Sequence, residues 1–255
     1  MKTLLALLLL APSAQAAVVM KMKQEHFVPA AQTCEMSSTV EKDRARTDTN
    51  CMKQNHSTVF TLKPAKELVM IDHTRKEYSV LPGKSLDALV KNPMEALKTD
   101  PKFAEQMKKM TPEQKKMMEK MMGQAMGAAK KATFKSTGQK KKVGAWSCEV
   151  YAIEIAGMSK EEQCLAGWGQ FPQLKGVLET WRQFTRDMAR MSQMPTVQAY
   201  EQAAKIGLSV EVVRYMGGQK QSRLEVTEIK DESAASGYFD LPKGYKKTKS
   251  LMSGE

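Results

Sequence analysis

The stretch Val18-Val19-Met20-Lys21-Met22-Lys23-Gln24-Glu25 alternates its side chains, with Val18, Met20 and Met22 on one side and Lys21, Lys23 and Glu25 on the other. A period of two reads as a strand with one wet face, the signature of an antiparallel sheet. Similar short runs follow at Cys34–Val40, Thr58–Leu62, Glu67–Ile71 and Glu77–Leu81. Lys63-Pro64-Ala65-Lys66 and Asp72-His73-Thr74-Arg75 carry the turn-forming residues between the later ones. The first third is therefore expected to be an antiparallel meander.

At Leu81-Pro82-Gly83 the pattern changes to helix. Asn92-Pro93, Asp100-Pro101 and Thr111-Pro112 each place proline just after a capping residue, and Gln114 completes a capping box with Thr111. A Met-rich helical insertion over residues 84–131 is expected. Strand patterning resumes at Thr133–Lys135 and Val143–Ile155, with Lys140-Lys141-Lys142 read as an exposed turn and Glu162–Trp168 as the return strand. A second helical insertion spans 174–207, where Leu174, Val177, Leu178, Trp181, Phe184, Met188 and Met191 recur at helical spacing. Pro195 breaks it and Gly207 stops it. Leu208–Met216 and Arg223–Ile229 then form a hairpin across Gly217-Gly218, and the chain closes on Phe239, Leu241 and Tyr245. Helices interrupting strands joined by short turns give an α+β fold, an antiparallel sheet with helices on one face. No linker divides it, so residues 17–255 are read as one domain.

Residues 1–16 read as a cleaved signal peptide. Lys2 gives the positive start, Leu4–Ala11 the apolar run, and Ala14-Gln15-Ala16 the small-x-small cleavage pattern. The run is about half the roughly 20 residues of a spanning helix. No cysteine stands at the cleavage point, so a periplasmic or secreted chain that does not span the membrane is expected. The four cysteines Cys34, Cys51, Cys148 and Cys164 allow three connectivities. Cys34 and Cys51 flank the polar segment Glu41–Asn50, and Cys148 and Cys164 flank Gly157-Met158-Ser159-Lys160. Each pair brackets one turn, which predicts two local cross-strand disulfides, Cys34 with Cys51 and Cys148 with Cys164.

A formal charge of +12 makes the surface strongly basic. Charge alone speaks to non-specific attraction. With 6% aromatics and no recognition motif, nucleic acid is not an expected partner. There is no CxxC, and His26, His56 and His73 are scattered, so neither a redox centre nor a zinc site is expected. No nucleophile motif, phosphate loop or HExxH occurs, and isolated acids such as Asp72, Glu154 and Asp187 read as surface charges. An enzyme is not expected, nor any cofactor.

Three stretches resemble a secreted bacterial family, domain of unknown function 4412. They are Gly144-Ala145-Trp146-Ser147-Cys148-Glu149-Val150-Tyr151, Met110-Thr111-Pro112-Glu113-Gln114-Lys115-Lys116-Met117-Met118, and Leu224–Ile229 followed by Phe239-Asp240-Leu241-Pro242-Lys243-Gly244-Tyr245. The resemblance implies a fold like the LolA and LolB lipoprotein carriers, a curved antiparallel half-barrel whose concave apolar face is covered by helices.

Met107, Met110, Met117, Met118, Met121, Met122 and Met126 form the most unusual local feature. On one helix they occupy about half the circumference, opposite Lys109, Glu113, Lys116 and Lys120. A helix packed on the sheet accounts for such a stripe. The functional reading is a pliable lid over an apolar cavity, since methionine adapts to ligands of varied shape. Lys108, Lys115 or Lys246 would then meet an anionic head group. Lipid or an acylated molecule, or an envelope protein, is the expected partner. The alternative is a structural or partner-binding envelope protein with a filled core. Cu(I) capture by Met107-x-x-Met110 and Met118-x-x-Met121 is a weaker third reading, because the neighbouring lysines repel a cation.

Overall fold

The structure is a computed structural model that describes residues 16–52, 54–91, 110–118, 132–155, 159–191 and 197–248. Residues 1–15 of the expected signal peptide, Asn92-Pro93, Asp100-Pro101, Gly157-Met158 and Pro195 lie outside the described residues.

Among the described residues, twelve strands form one curved, unclosed sheet in the order β12-β6-β5-β4-β3-β2-β1-β11-β10-β9-β8-β7. They are β1 (Ala16–His26), β2 (Gln32–Val40), β3 (Arg44–Cys51), β4 (Gln54–Thr61), β5 (Glu67–Asp72), β6 (Glu77–Pro82), β7 (Thr133–Val143), β8 (Trp146–Ile155), β9 (Ser159–Gly167), β10 (Gly207–Met216), β11 (Gln219–Ser233) and β12 (Lys246–Lys247). Pairing is antiparallel throughout except for β12, which lies parallel to β6. The described helices are α1 (Gly83–Lys91), α2 (112–118), α3 (Leu178–Met191) and α4 (Val197–Ile206).

Alternation on β1 builds the core. Pairing places Val18 opposite Val40, Val40 opposite Ala45, Ala45 opposite Phe60 and Phe60 opposite Leu68, one apolar row across five strands. Leu86 of α1, with Leu174 and Val177 of the turn before α3 and Phe184 of α3, buries against that row. Phe184 meets Phe60 with ring centroids 5.8 Å apart. The α1 and α3 helices are tied down by Lys66, whose Nζ lies 2.9 Å from both Asp87 and Asp187. Burial pushes the Lys66 ammonium down, but the two carboxylates outweigh it and hold its pKa above the ordinary lysine value. Asp187 is thus a buried anchor rather than a surface charge.

Two expectations need correction. The polar segment Glu41–Asn50 is mostly strand β3, because both faces are occupied: Thr47 and Thr49 look across the helix-bearing side, and Arg46 and Asp48 pack under the C-terminal segment. Lys140-Lys141-Lys142 is not a turn but part of the edge strand β7, where solvent accepts charged side chains and Lys141 reaches Glu211. The turn falls at Gly144, whose φ is +55°. The capping box is present, with Gln114 N–H donating to Thr111 Oγ1 (3.2 Å) and Thr111 N–H to Gln114 Oε1 (2.9 Å). Both disulfides join neighbouring strands, Cys34–Cys51 linking β2 to β3 and Cys148–Cys164 linking β8 to β9.

Gly207 opens β10 opposite Gly167, where α4 turns directly into the sheet. A Cβ there would lie 2.0 Å from the Ala166 carbonyl oxygen. Gly207→Ala is expected to cost about 1–3 kcal/mol by forcing the backbones apart. Gly169→Ala, with nothing within 4 Å, serves as the neutral control in the same thermal unfolding measurement.

The C-terminal segment crosses the opposite face of the sheet, where Phe239 buries with Val59, Val69 and Ile71. A polar clasp holds it. Tyr238 Oη donates to Asp48 (2.5 Å), Arg46 donates to the Tyr238 carbonyl (2.5 Å), and Tyr245 Oη lies 3.0 Å from His73 Nδ1. His73 Nε2 is 2.6 Å from the buried Ser57 hydroxyl, which also takes a hydrogen bond from Arg46 (3.0 Å) and donates to Asp48. A neutral His73 with Nε2–H donating and Nδ1 accepting satisfies every group, so the cluster is a clasp with no free nucleophile. Burial, Arg46 and His56 push the His73 imidazole below the ordinary histidine value, against the pull of Asp48 and Asp72. The folded state therefore resists a proton that the unfolded chain accepts below about pH 6.5, and stability falls as the pH drops through that value. Thermal unfolding at pH 7.5 and 5.5 checks this: the midpoint should fall on acidification, and His73→Gln should flatten that fall.

Candidate functional site

A cleft of about 760 Å³ opens between the helix-bearing face of the sheet and the α3–α4 pair. Its floor follows the alternation that buries the core. One row beyond Val18 stand Met20, Ser38, Thr47 and Thr58, and one row further Met22, Met36 and Thr49. Leu224 and Val226 of β11 and Val212 of β10 extend the apolar floor to the other side of β1. The wall is the amphipathic stripe of α3, where Trp181, Phe184 and Met188 project at helical spacing, completed by Ala203 and Ala204 of α4. Apolar side chains interspersed with small hydroxyls make a surface suited to an elongated, mostly apolar molecule.

One side of the cleft is closed by a buried polar network. Tyr200 of α4 donates to both carboxylate oxygens of Glu161 (2.8 Å each), and Arg214 Nε donates to Oε2 at 2.7 Å. Gln163 Nε2 donates to Glu161 Oε1 (2.6 Å) and is itself fixed by Ser209 (2.9 Å). Burial and then Glu161 push the Tyr200 phenol up, and Glu161 holds Arg214 charged against its own burial. Neither Tyr200 nor Arg214 is poised to exchange a proton near neutrality. Its work is to pin α4 to β9 and β10.

Residues 90–245 match the family described as Domain of unknown function (DUF4412), more than half of the 255-residue chain. The chain belongs to that family. The DUF4412 stretch supplies β7 to β11, α3 and α4, hence the wall and one half of the cleft floor; β1, β2 and β3 lie before it. No curated protein sequence matches the chain. Similar solved structures include PNGF-II, at 9% identity and a TM-score of 0.41, with 93% of this chain and 32% of that one covered. MucB in complex with MucA(peri) aligns at 12% identity and a TM-score of 0.35, covering 90% of this chain and 56% of that one. A domain described as an outer membrane lipoprotein-sorting protein, from Vibrio parahaemolyticus, aligns at 8% identity and a TM-score of 0.30, covering 90% of this chain and 91% of that one. The chain thus spans about a third of PNGF-II and rather more than half of MucB.

The Met-rich stretch does not supply the described cleft lining. Met107, Met121, Met122 and Met126 lie outside the described residues, and Met110, Met117 and Met118, although described, are not among the lining side chains. Each Cu(I) pair therefore has one member outside the described residues. Among the described residues, no three His, Cys, Asp or Glu side chains converge on a metal position. Lys115 and Lys246 do not border the cleft, and Lys108 lies outside the described residues. The methionines that do line it are Met20, Met22, Met36 and Met188. Of these, Met20, Met22 and Met188 were visible in the sequence as parts of periodic stripes; what periodicity does not show is that β1, β2, β11 and α3 bring their stripes to one place. Among the described residues no helix is long and apolar enough to cross a membrane.

Proposed function

We propose that this DUF4412 protein is an exported, non-catalytic binding protein that holds an apolar or amphipathic ligand, a lipid or an acylated molecule, in the cleft under α3 and α4. The observation that carries this reading is the cleft itself, about 760 Å³ and floored by methionine, leucine and valine from strands remote in sequence. That volume falls within the range of small-molecule sites, and the polarisable thioethers of Met20, Met22, Met36 and Met188 adapt to chains of varied shape. On this reading the helix-bearing face is the concave side of a half-barrel formed by a single domain, residues 17–255. The alternative of an envelope protein with a filled core is less well supported, because a core filled by its own side chains leaves no space of that size. Export accords with the two disulfides, which persist in oxidising compartments. Cleavage after Ala16 removes only the first residue of β1, and N-terminal sequencing of the secreted product should begin at Ala17.

The test is uptake of an uncharged apolar fluorophore by the purified protein, followed by displacement with a long-chain lipid. Saturable uptake that the lipid reverses supports the binding reading. A folded protein that takes up no fluorophore contradicts it.

A further inference from the structure

Of the four described cations that line the cleft, Lys205 is exposed to solvent and two others are matched by carboxylates. Arg214 donates to Glu161 at 2.7 Å, and Arg186 stands 3.8 Å from Glu201. Arg182 is different. Its guanidinium carbon sits 5.0 Å from the centroid of the Trp168 ring, and its Nη2 reaches the Ala204 carbonyl at a long 3.4 Å. Its Nε is buried with no hydrogen-bond partner among the described residues. Trp168 is itself fixed, its indole N–H donating to the same Ala204 carbonyl at 3.0 Å. The guanidinium is therefore held over the indole ring, with no carboxylate partner among the described residues. A buried N–H left without an acceptor is unfavourable, and such groups in native proteins call for a partner.

We infer that Arg182 is the head-group site of the cleft and that the ligand is an oxyanion-headed amphiphile, a carboxylate or phosphate on an apolar chain. This rests on the binding reading above and narrows it. A guanidinium fork presents parallel N–H donors that fit a carboxylate or phosphate edge, which an ammonium or a sugar head does not reproduce. From Arg182 the apolar surface of Trp181, Met188 and the methionine floor continues in the same cleft, so head and chain are accommodated together.

The experiment is displacement of the uncharged fluorophore by three ligands of equal chain length, dodecanoate, dodecyl phosphate and dodecyltrimethylammonium, at moderate salt. The two anions are expected to compete at concentrations about tenfold lower than the cation, the effect of one charge-assisted pair. Arg182→Gln should remove that preference, read as the ratio of anion to cation competition at whatever level of fluorophore uptake the variant shows, and Arg182→Lys should restore it only in part. Equal competition by all three heads overturns the inference and leaves the cleft reading standing. A preference that survives in Arg182→Gln assigns it to the general positive charge of the protein and also overturns the inference. Absence of fluorophore uptake by the wild-type protein defeats the cleft reading, and the inference falls with it. The wild-type head-group series decides even where a variant fails to fold.

Discussion

Phe184→Ala is expected to lower the unfolding free energy by about 3–5 kcal/mol, a fall in Tm of roughly 6–20 °C for a chain of this size. The argument begins with the α3 stripe. Phe184 is 6% exposed, and its ring stands 5.8 Å from Phe60 and 5.9 Å from Trp181. Phe60 is fully buried in the row that runs from β1 to β5. Truncation removes aromatic burial and leaves a void that α3 cannot collapse to fill, because Asp187 and Lys66 hold that helix to the turn before β5 and to α1. Phe184 also lines the cleft, so the surviving folded protein should show a larger apolar space and weaker ligand selectivity. Thermal and denaturant unfolding measure the first effect. A loss below about 1 kcal/mol would mean that α3 is not packed on the sheet as described.

Removing one disulfide is expected to cost about 3 kcal/mol, with a Tm lower by roughly 6–12 °C, for Cys34→Ala/Cys51→Ala and for Cys148→Ala/Cys164→Ala alike. The sequence separations are 17 and 16, so the closed loops are nearly equal and so are the unfolded-state entropies they remove. The two bridges sit in opposite wings of the sheet, β2–β3 and β8–β9, with β1, β11 and β10 between them. Their losses should therefore add in the double-pair variant. Unfolding with and without reductant checks both statements. An additive wild-type loss on reduction and no further loss in the quadruple alanine variant is the expected pattern.

The elements legible in the sequence were those whose physics is local. Val18, Met20 and Met22 alternate because one face of β1 is core, and Leu174, Val177, Trp181 and Phe184 repeat because one face of the turn and α3 is core. Gly217-Gly218 turns the β10–β11 hairpin with both φ values positive, and Thr111 and Gln114 cap α2, each from adjacent residues alone. The cysteine pairing was legible because hairpin neighbours meet.

The missed elements owe their form to tertiary partners. The β3 strand carries Arg46, Asp48, Thr47 and Thr49 where a strand signal expects apolar residues, and what makes these acceptable are Tyr238 on one face and the cleft on the other. The cleft was not legible in the sequence for the same reason. Local composition draws attention to the Met-rich stretch, whereas the cleft lining takes Met36, Leu224, Trp181 and Arg182 from three elements that meet only in the fold. Arg182 in particular looks like ordinary helix polarity, since its unpaired Nε exists only once Trp168 and Ala204 have closed around it.

The central claim is that the cleft under α3 and α4 admits an apolar chain, and Trp181 and Trp168 line it. Titration of the protein with a dodecanoate brominated along its chain, read by tryptophan fluorescence, tests this at the site, since bromine quenches an indole only on close approach. Saturable quenching that unbrominated dodecanoate reverses, and that is reduced in Trp181→Phe, is the result expected. Undiminished fluorescence from the folded protein at saturating brominated chain, or quenching unaffected by Trp181→Phe and Trp168→Phe together, would contradict it.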